Sequence, residues 1–302
     1  MTKEELTAMV AEILSQMHGE KEPPVKAADY KTVVYNQPKP DADSAEAAED
    51  VTKIDLRKLY LTENPENGEK FRRMKEKTPA RLGSGKAGAR YKTLTMLRFR
   101  ADHAAAQDAV FSQVPEDFAE KNGLVPVATR CRDKDEYLTR PDLGRTFDED
   151  NRKKIKAAVP QPPTVQLVVG DGLSSAAVLH NAMDCMKTIR DGLKLQGIDC
   201  GQPLFVRYCR VGAGDAIGDV TGCRLVCMLV GERPGLVTDK SMSAYITYMP
   251  RTGVSESSRT VVSNIHAQGT PAVEAGAYAA ELIEKILKKG VSGVGLHLEE
   301  AK

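Results

Sequence analysis

The chain has 302 residues, 41% of them hydrophobic, enough for about two ordinary domains of roughly 150 residues each. Its 43 basic and 42 acidic residues leave a formal net charge of +1, so no global field draws it to nucleic acid or to an anionic membrane. No apolar run approaches the ~20 residues of a membrane span, and the N-terminus has no basic start followed by an apolar core, so neither membrane embedding nor secretion is expected.

Residues 3 to 17 place Leu6, Met9, Val10, Ile13, Leu14 and Met17 on one stripe, with charged and polar residues between them. This spacing predicts a short amphipathic helix over residues 1 to 18. Residues 19 to 52 follow with Pro23, Pro24, Pro38 and Pro40 amid Ala, Asp, Glu and Lys, a composition that predicts a disordered linker. A short helix on a leash is marginal in water and must dock, either on its own protein or on a separate surface.

Residues 53 to 159 read as a mainly helical domain. Ile54, Leu56, Leu59 and Leu61 precede the Asn64-Pro65 break, Phe71 and Met74 belong to a second helix, and Leu97 to Val110 form a third. Between the last two lies the glycine-rich basic run from Arg81 to Arg90. Ala80 and Ala87 stand where a nucleotide-binding P-loop needs Gly and Ser or Thr, so the run is either a surface loop or a basic contact for a partner or a phosphate-bearing ligand.

Residues 160 to 302 alternate strand and helix after Pro160-Gln161-Pro162-Pro163. Strands are expected at Val165 to Val169, Leu204 to Val211, Cys223 to Gly231, Ala244 to Met249 and Thr260 to Ile265. A helix capped by Ser174 or Ser175 follows the first, and another runs from Ala272 to Lys288. The fold class is therefore α/β, with a mostly parallel, Rossmann-like sheet in the C-terminal domain and a mainly helical N-terminal domain. Ligands of such sheets bind at the carboxyl ends of the strands.

Gly170-Asp171-Gly172 starts a dinucleotide fingerprint that fails at Ser175, where the third glycine is needed, so the glycines are read as a turn or as a ligand contact. Asp171 and Glu232 end separate strands and offer acceptors to amide or hydroxyl groups, with an ion pair to Arg233 or Arg210 as the alternative for Glu232. His103 beside Asp102 reads as structural, and His266 lies at the ligand edge. The six cysteines show neither CxxC nor zinc spacing, which predicts reduced thiols and no structural metal, with Cys223 and Cys227 on one strand face.

Several phrases carry a family resemblance: Leu97-Arg98-Phe99 with Ala101-Asp102-His103, Tyr137-Leu138-Thr139-Arg140-Pro141-Asp142, Asp171-Gly172-Leu173-Ser174, Phe205-Val206-Arg207-Tyr208, Leu229 to Leu236, and Ser263-Asn264-Ile265-His266 with Gly269-Thr270-Pro271. In these the chain resembles the small subunit of ethanolamine ammonia-lyase. The resemblance implies an enzyme subunit of a lyase that turns ethanolamine into acetaldehyde and ammonia by a radical mechanism. It also implies adenosylcobalamin as cofactor and, as partner, a large (β/α)8-barrel subunit that holds the substrate and without which this chain is inactive.

Cofactor contacts carried over from the family fall on Val211, Glu232 and Val261. The last is cysteine in relatives and valine here, which implies a backbone or van der Waals contact rather than one through sulfur. No catalytic residue is carried over to this chain. The N-terminal helix is similar to peptides that draw such enzymes into bacterial microcompartments, so the expected location is the bacterial cytoplasm, inside such a shell. Two other readings stand beside this one: a free-standing nucleotide-binding oxidoreductase, and a non-catalytic assembly adaptor.

Overall fold

The structure, a computed structural model, describes residues 50 to 296. The helix expected over residues 1 to 18, and nearly all of the linker after it, lie outside the described residues.

The first described segment departs from expectation. Val51–Lys53 is a single 3-10 turn, and Ile54 and Leu56 are then buried in an irregular stretch. Asp55 Oδ1 accepts from the Arg57 backbone N–H at 3.0 Å and from its Nε at 2.9 Å, a local bond that competes with helix formation. Helices α1 (Gly68–Lys75) and α2 (Thr93–Phe111) form where Phe71, Met74 and Leu97 placed them. The glycine-rich basic run between them closes as a small antiparallel hairpin, β1 (Lys86–Ala87) against β2 (Arg90–Tyr91).

A short helix, α3 (Phe118–Lys121), leads into β3 (Val125–Ala128), so the segment expected to be mainly helical contributes a strand. Pro126 obscured it in sequence, yet β3 is the outermost strand of the sheet, where a missing N–H is tolerated. Helices α4 (Lys134–Thr139) and α5 (Glu149–Ala158) follow, the latter capped by Asp148, which accepts from Asn151 N–H at 2.8 Å.

The central strand β4 (Val165–Asp171) is buried at all of its positions. Ser174 caps the next helix, accepting from Ala177 N–H at 3.0 Å. That helix, α6, comprises Ser175–Ala177 and Met183–Leu195, joined by the π-helical turn Val178–Ala182. Then come β5 (Leu204–Arg207), α7 (Ala213–Thr221), β6 (Leu225–Gly231), β7 (Met242–Tyr248), β8 (Arg259–Ile265) and α8 (Ala272–Lys289).

The six-stranded order is β3-β5-β4-β6-β7-β8, parallel through β6 and antiparallel at β7 and β8. The crossover rhythm ends there because residues 232 to 241 carry no helical periodicity and simply turn back as a hairpin.

Alternation along the strands sorts residues onto two cores. Val165, Leu167 and Val169 of β4 with Leu225, Cys227 and Leu229 of β6 share the first core with α6 and α8. Val168, Val226, Met228 and Val230 share the second with α5 and α7. Val114, Phe118 and Leu124 join the first core and Val127, Phe147 and Ile155 the second, so the expected boundary at Pro160 does not separate two cores. On the second face, cover thins outward from β6: Tyr245 is half-buried and Val261 is 44% exposed.

Two details correct the sequence reading. Strand β5 stops at Arg207 because Tyr208 takes a left-handed φ of 57°, so Val211 lies in the turn before α7 rather than at the end of a strand. Cys223 lies ahead of β6, after Gly222 closes α7 with φ 71°, and it joins the second core whereas Cys227 joins the first. The two thiols do not share a face.

Candidate functional site

The carboxyl ends of β4 and β5, where a ligand was expected, are filled by the protein itself. Asp171 is 2% exposed; its Oδ2 accepts from Val114 N–H at 3.0 Å and from Arg207 Nη1 at 3.3 Å, and its Oδ1 from Ser175 Oγ at 2.6 Å. These partners occupy the carboxylate, so Asp171 holds the fold together rather than facing a ligand.

Helix α4 lies over the same place. Lys134 Nζ donates to Gly172 O at 2.8 Å, the Tyr137 hydroxyl donates to Cys209 O at 3.2 Å, and the Arg210 guanidinium stacks 4.3 Å from the Tyr137 ring centre. Burial pushes the Lys134 ammonium pKa down and the Tyr137 hydroxyl pKa up. Neither Gly170 nor Gly172 has a positive φ; a Cβ at either would come within 2.7 Å of Cys209 Sγ or 2.9 Å of Cys209 O. Close packing explains these glycines, and no cradle for a dinucleotide is left above them.

The open surface lies further along the sheet. Alternation on β6 puts Glu232, one residue past its end, on the second face with Met228 and Val230. Val230 pairs with Ser243, Met228 with Tyr245, and Tyr245 with Val261, so Glu232, Ser243, Tyr245 and Val261 form one patch across three strands. Ser243 Oγ donates to Glu232 Oε1 at 2.6 Å, and the backbone N–H of Asn264 donates to the same oxygen at 2.8 Å. Neither Arg210 nor Arg233 takes part; Arg210 Nη2 donates to Tyr137 O at 2.7 Å instead.

Burial raises the Glu232 carboxyl pKa, but the hydrogen bonds from Ser243 and Asn264 outweigh it and hold the group below its usual value. The Tyr245 hydroxyl is raised by burial and then by the Glu232 charge. The patch therefore presents a fixed carboxylate beside a half-buried phenol and exposed aliphatic surface. Such a set can accept hydrogen bonds from amide or hydroxyl groups of a large polar ligand. Among the described residues no group of three or more His, Cys, Asp or Glu is arranged to hold a metal ion.

Of the three positions carried over by resemblance, Glu232 and Val261 share this patch. Val211 stands on its margin: its carbonyl accepts from Gly214 N–H at 3.1 Å as α7 begins, and α7 packs on the same face against Val226, Met228 and Val230. His266 is buried just past β8, with its Nε2 2.8 Å from Asn264 Oδ1. His103 is exposed on α2, while Asp102 beside it is held by Arg81 and Arg98 at 2.6 and 2.8 Å. Ser243, Tyr245 and Asn264 were missed in sequence, although polar residues alternating with the apolar positions of β7 and β8 marked an open face.

Comparison with known proteins identifies the family of the chain. The family model described as ethanolamine ammonia-lyase light chain (EutC) matches residues 68–297. The ethanolamine ammonia-lyase small subunit of Clostridium perfringens is 54% identical over 296 residues, covering 98% of this chain and 100% of that one. The protein of the same name from Clostridioides difficile is 52% identical over 98% of this chain and 100% of its own length, and that of Listeria innocua 50% identical over the same shares. With most of its length matched by the model and nearly all of it by these relatives, the chain belongs to the ethanolamine ammonia-lyase light-chain family.

Proposed function

We propose that this chain is the cofactor-holding subunit of an ethanolamine ammonia-lyase, acting with a large subunit and adenosylcobalamin. The observation that carries this reading is the Glu232 carboxylate, tethered through Oε1 by Ser243 and Asn264, beside exposed Val261 on an open face. Adenosylcobalamin is fringed with amide groups, and a fixed acceptor set among aliphatic surface suits such a ligand. When bound, it supplies the radical chemistry that converts ethanolamine into acetaldehyde and ammonia.

Glu232 would hold an amide group of the cofactor, while Val261 and Val211 would contribute backbone or van der Waals contact from the strand and the margin. A large subunit closes over this face, holding the substrate and excluding water. The stripe from Leu6 to Met17 supports docking of the N-terminus to a bacterial microcompartment shell. Deleting residues 1 to 19 should leave turnover intact and abolish encapsulation, and lost turnover would contradict that role.

The site is tested by Glu232→Gln in the two-chain complex, titrating adenosylcobalamin in the dark by its visible spectrum. Losing a charged acceptor should weaken binding about ten- to a hundredfold. Unchanged affinity would remove Glu232 from the cofactor site.

A further inference from the structure

The loop after β8 fixes the conformation of the one backbone N–H that tethers Glu232. Pairing passes from Ala244 opposite Val262 to Met242 opposite Ile265, so two residues, Ser263 and Asn264, oppose Ser243 alone. In this bulge Asn264 takes a left-handed φ of 62°. Out of step with the ladder, its N–H is released and donates to Glu232 Oε1 at 2.8 Å.

A left-handed residue other than glycine is disfavoured and needs its surroundings to hold it. Three contacts do so. Thr270 N–H donates to Asn264 O at 2.9 Å, and Gly269 approaches so closely that a Cβ there would lie 2.3 Å from the same oxygen. His266, 8% exposed, places Nε2 at 2.8 Å from Asn264 Oδ1. The Gln268 N–H points to His266 Nδ1 at 3.3 Å, so Nδ1 is the acceptor and the neutral ring carries its proton on Nε2. His266 thus donates to Asn264 and locks its side chain, while Arg57 Nη1 anchors Gln268 Oε1 at 2.8 Å.

We propose that Asn264 and His266 are positioning residues for Glu232: the ring holds the bulge, the bulge N–H holds Oε1, and Oε2 is thereby aimed at the ligand. This rests on the cofactor reading above only for the identity of the ligand. The relay itself touches no ligand and concerns this chain's own geometry.

The test uses Asn264→Val, Asn264→Gly and His266→Ala, with two readouts. In the full chain without cofactor, the Glu232 carboxyl is titrated by carbon-13 NMR. Its pKa should rise in Asn264→Val and His266→Ala, and stay native in Asn264→Gly, since glycine enters the left-handed region freely and keeps the N–H. In the two-chain complex, adenosylcobalamin affinity should fall about tenfold in the first two variants and stay within about twofold in the third. In a Glu232→Gln background the first two should cost little more, because the effect runs through that carboxylate.

A native Glu232 titration in Asn264→Val, or equal loss of affinity with and without the Glu232 carboxylate, would overturn the proposal. If Glu232 titrates as expected but Glu232→Gln leaves cofactor affinity native, the relay stands and the cofactor reading of Glu232 fails.

Discussion

Arg259 on β8 makes a bidentate ion pair with Asp215 on α7, with Nη1 2.9 Å from Oδ1 and Nη2 2.7 Å from Oδ2. Its Nε lies 2.7 Å from Glu256 Oε2, and its side chain is 3% exposed. Arg259 is two residues from Val261 on the same strand face, and Asp215 is four residues beyond Val211. The pair therefore ties the strand side of the patch to its helical margin. Hydrogen bonding to Asp215, and after it to Glu256, holds the guanidinium pKa up against the cost of burial.

Removing Asp215 strips the buried guanidinium of its bidentate partner and leaves it the largely exposed Glu256 carboxylate and the Thr247 hydroxyl, so Asp215→Ala should cost about 3 kcal/mol of stability in thermal or denaturant unfolding. The Asp215→Ala, Arg259→Met double variant should recover part of that loss, because no charge is stranded. A native melting temperature in Asp215→Ala would show that the pair does not tie the two elements together.

Glu232 is depressed below its ordinary value of 4.5. A depressed carboxyl contributes stability that is fully present above the unfolded value and is lost as pH falls through the folded one. Cofactor affinity that depends on this carboxylate should accordingly be flat across neutral and mildly acid pH, and fall only beneath the usual carboxylate range. A midpoint near neutrality in a pH series of cofactor titrations would assign the dependence to another group.

Gly231 ends β6 against the cap of α6, where a Cβ would lie 2.2 Å from Ser174 O. That neighbour is backbone and cannot rotate away, so Gly231→Ala must push β6 from the β4 turn and displace Glu232 next to it. The expected loss is about 1–3 kcal/mol of stability, with weaker cofactor binding. Native values for both would mean that the strand end is free to shift.

Much of the sheet was legible because β4 and β6 are covered on both faces and read as unbroken apolar runs. β3 was hidden by Pro126, and the end of β5 by the left-handed turn at Tyr208, which no residue type announces. Glu232 and Asp171 look alike in sequence, each a carboxylate ending a strand. What separates them is distant: Asp171 meets Val114 and Arg207, 57 and 36 residues away, whereas Glu232 meets a hydroxyl and one bulge N–H. Register, not composition, decides which carboxylate remains open to a ligand.

All six cysteines are free, and only Cys200 is not fully buried. Burial pushes Cys185 to about 12 and Cys200 to about 11, leaving little thiolate near neutrality. Thiol reagents should label the native chain slowly, Cys200 first, and label all six rapidly in denaturant. Fast modification of Cys209 or Cys227 in the native protein would contradict the packing described.

The most direct measurement mixes the purified chain with a large subunit, adenosylcobalamin and ethanolamine, and follows acetaldehyde together with the visible spectrum of the cofactor. Turnover should appear only when both chains are present. Acetaldehyde from this chain alone, or none from a stable two-chain complex that holds the cofactor, would contradict the proposed cofactor-holding role.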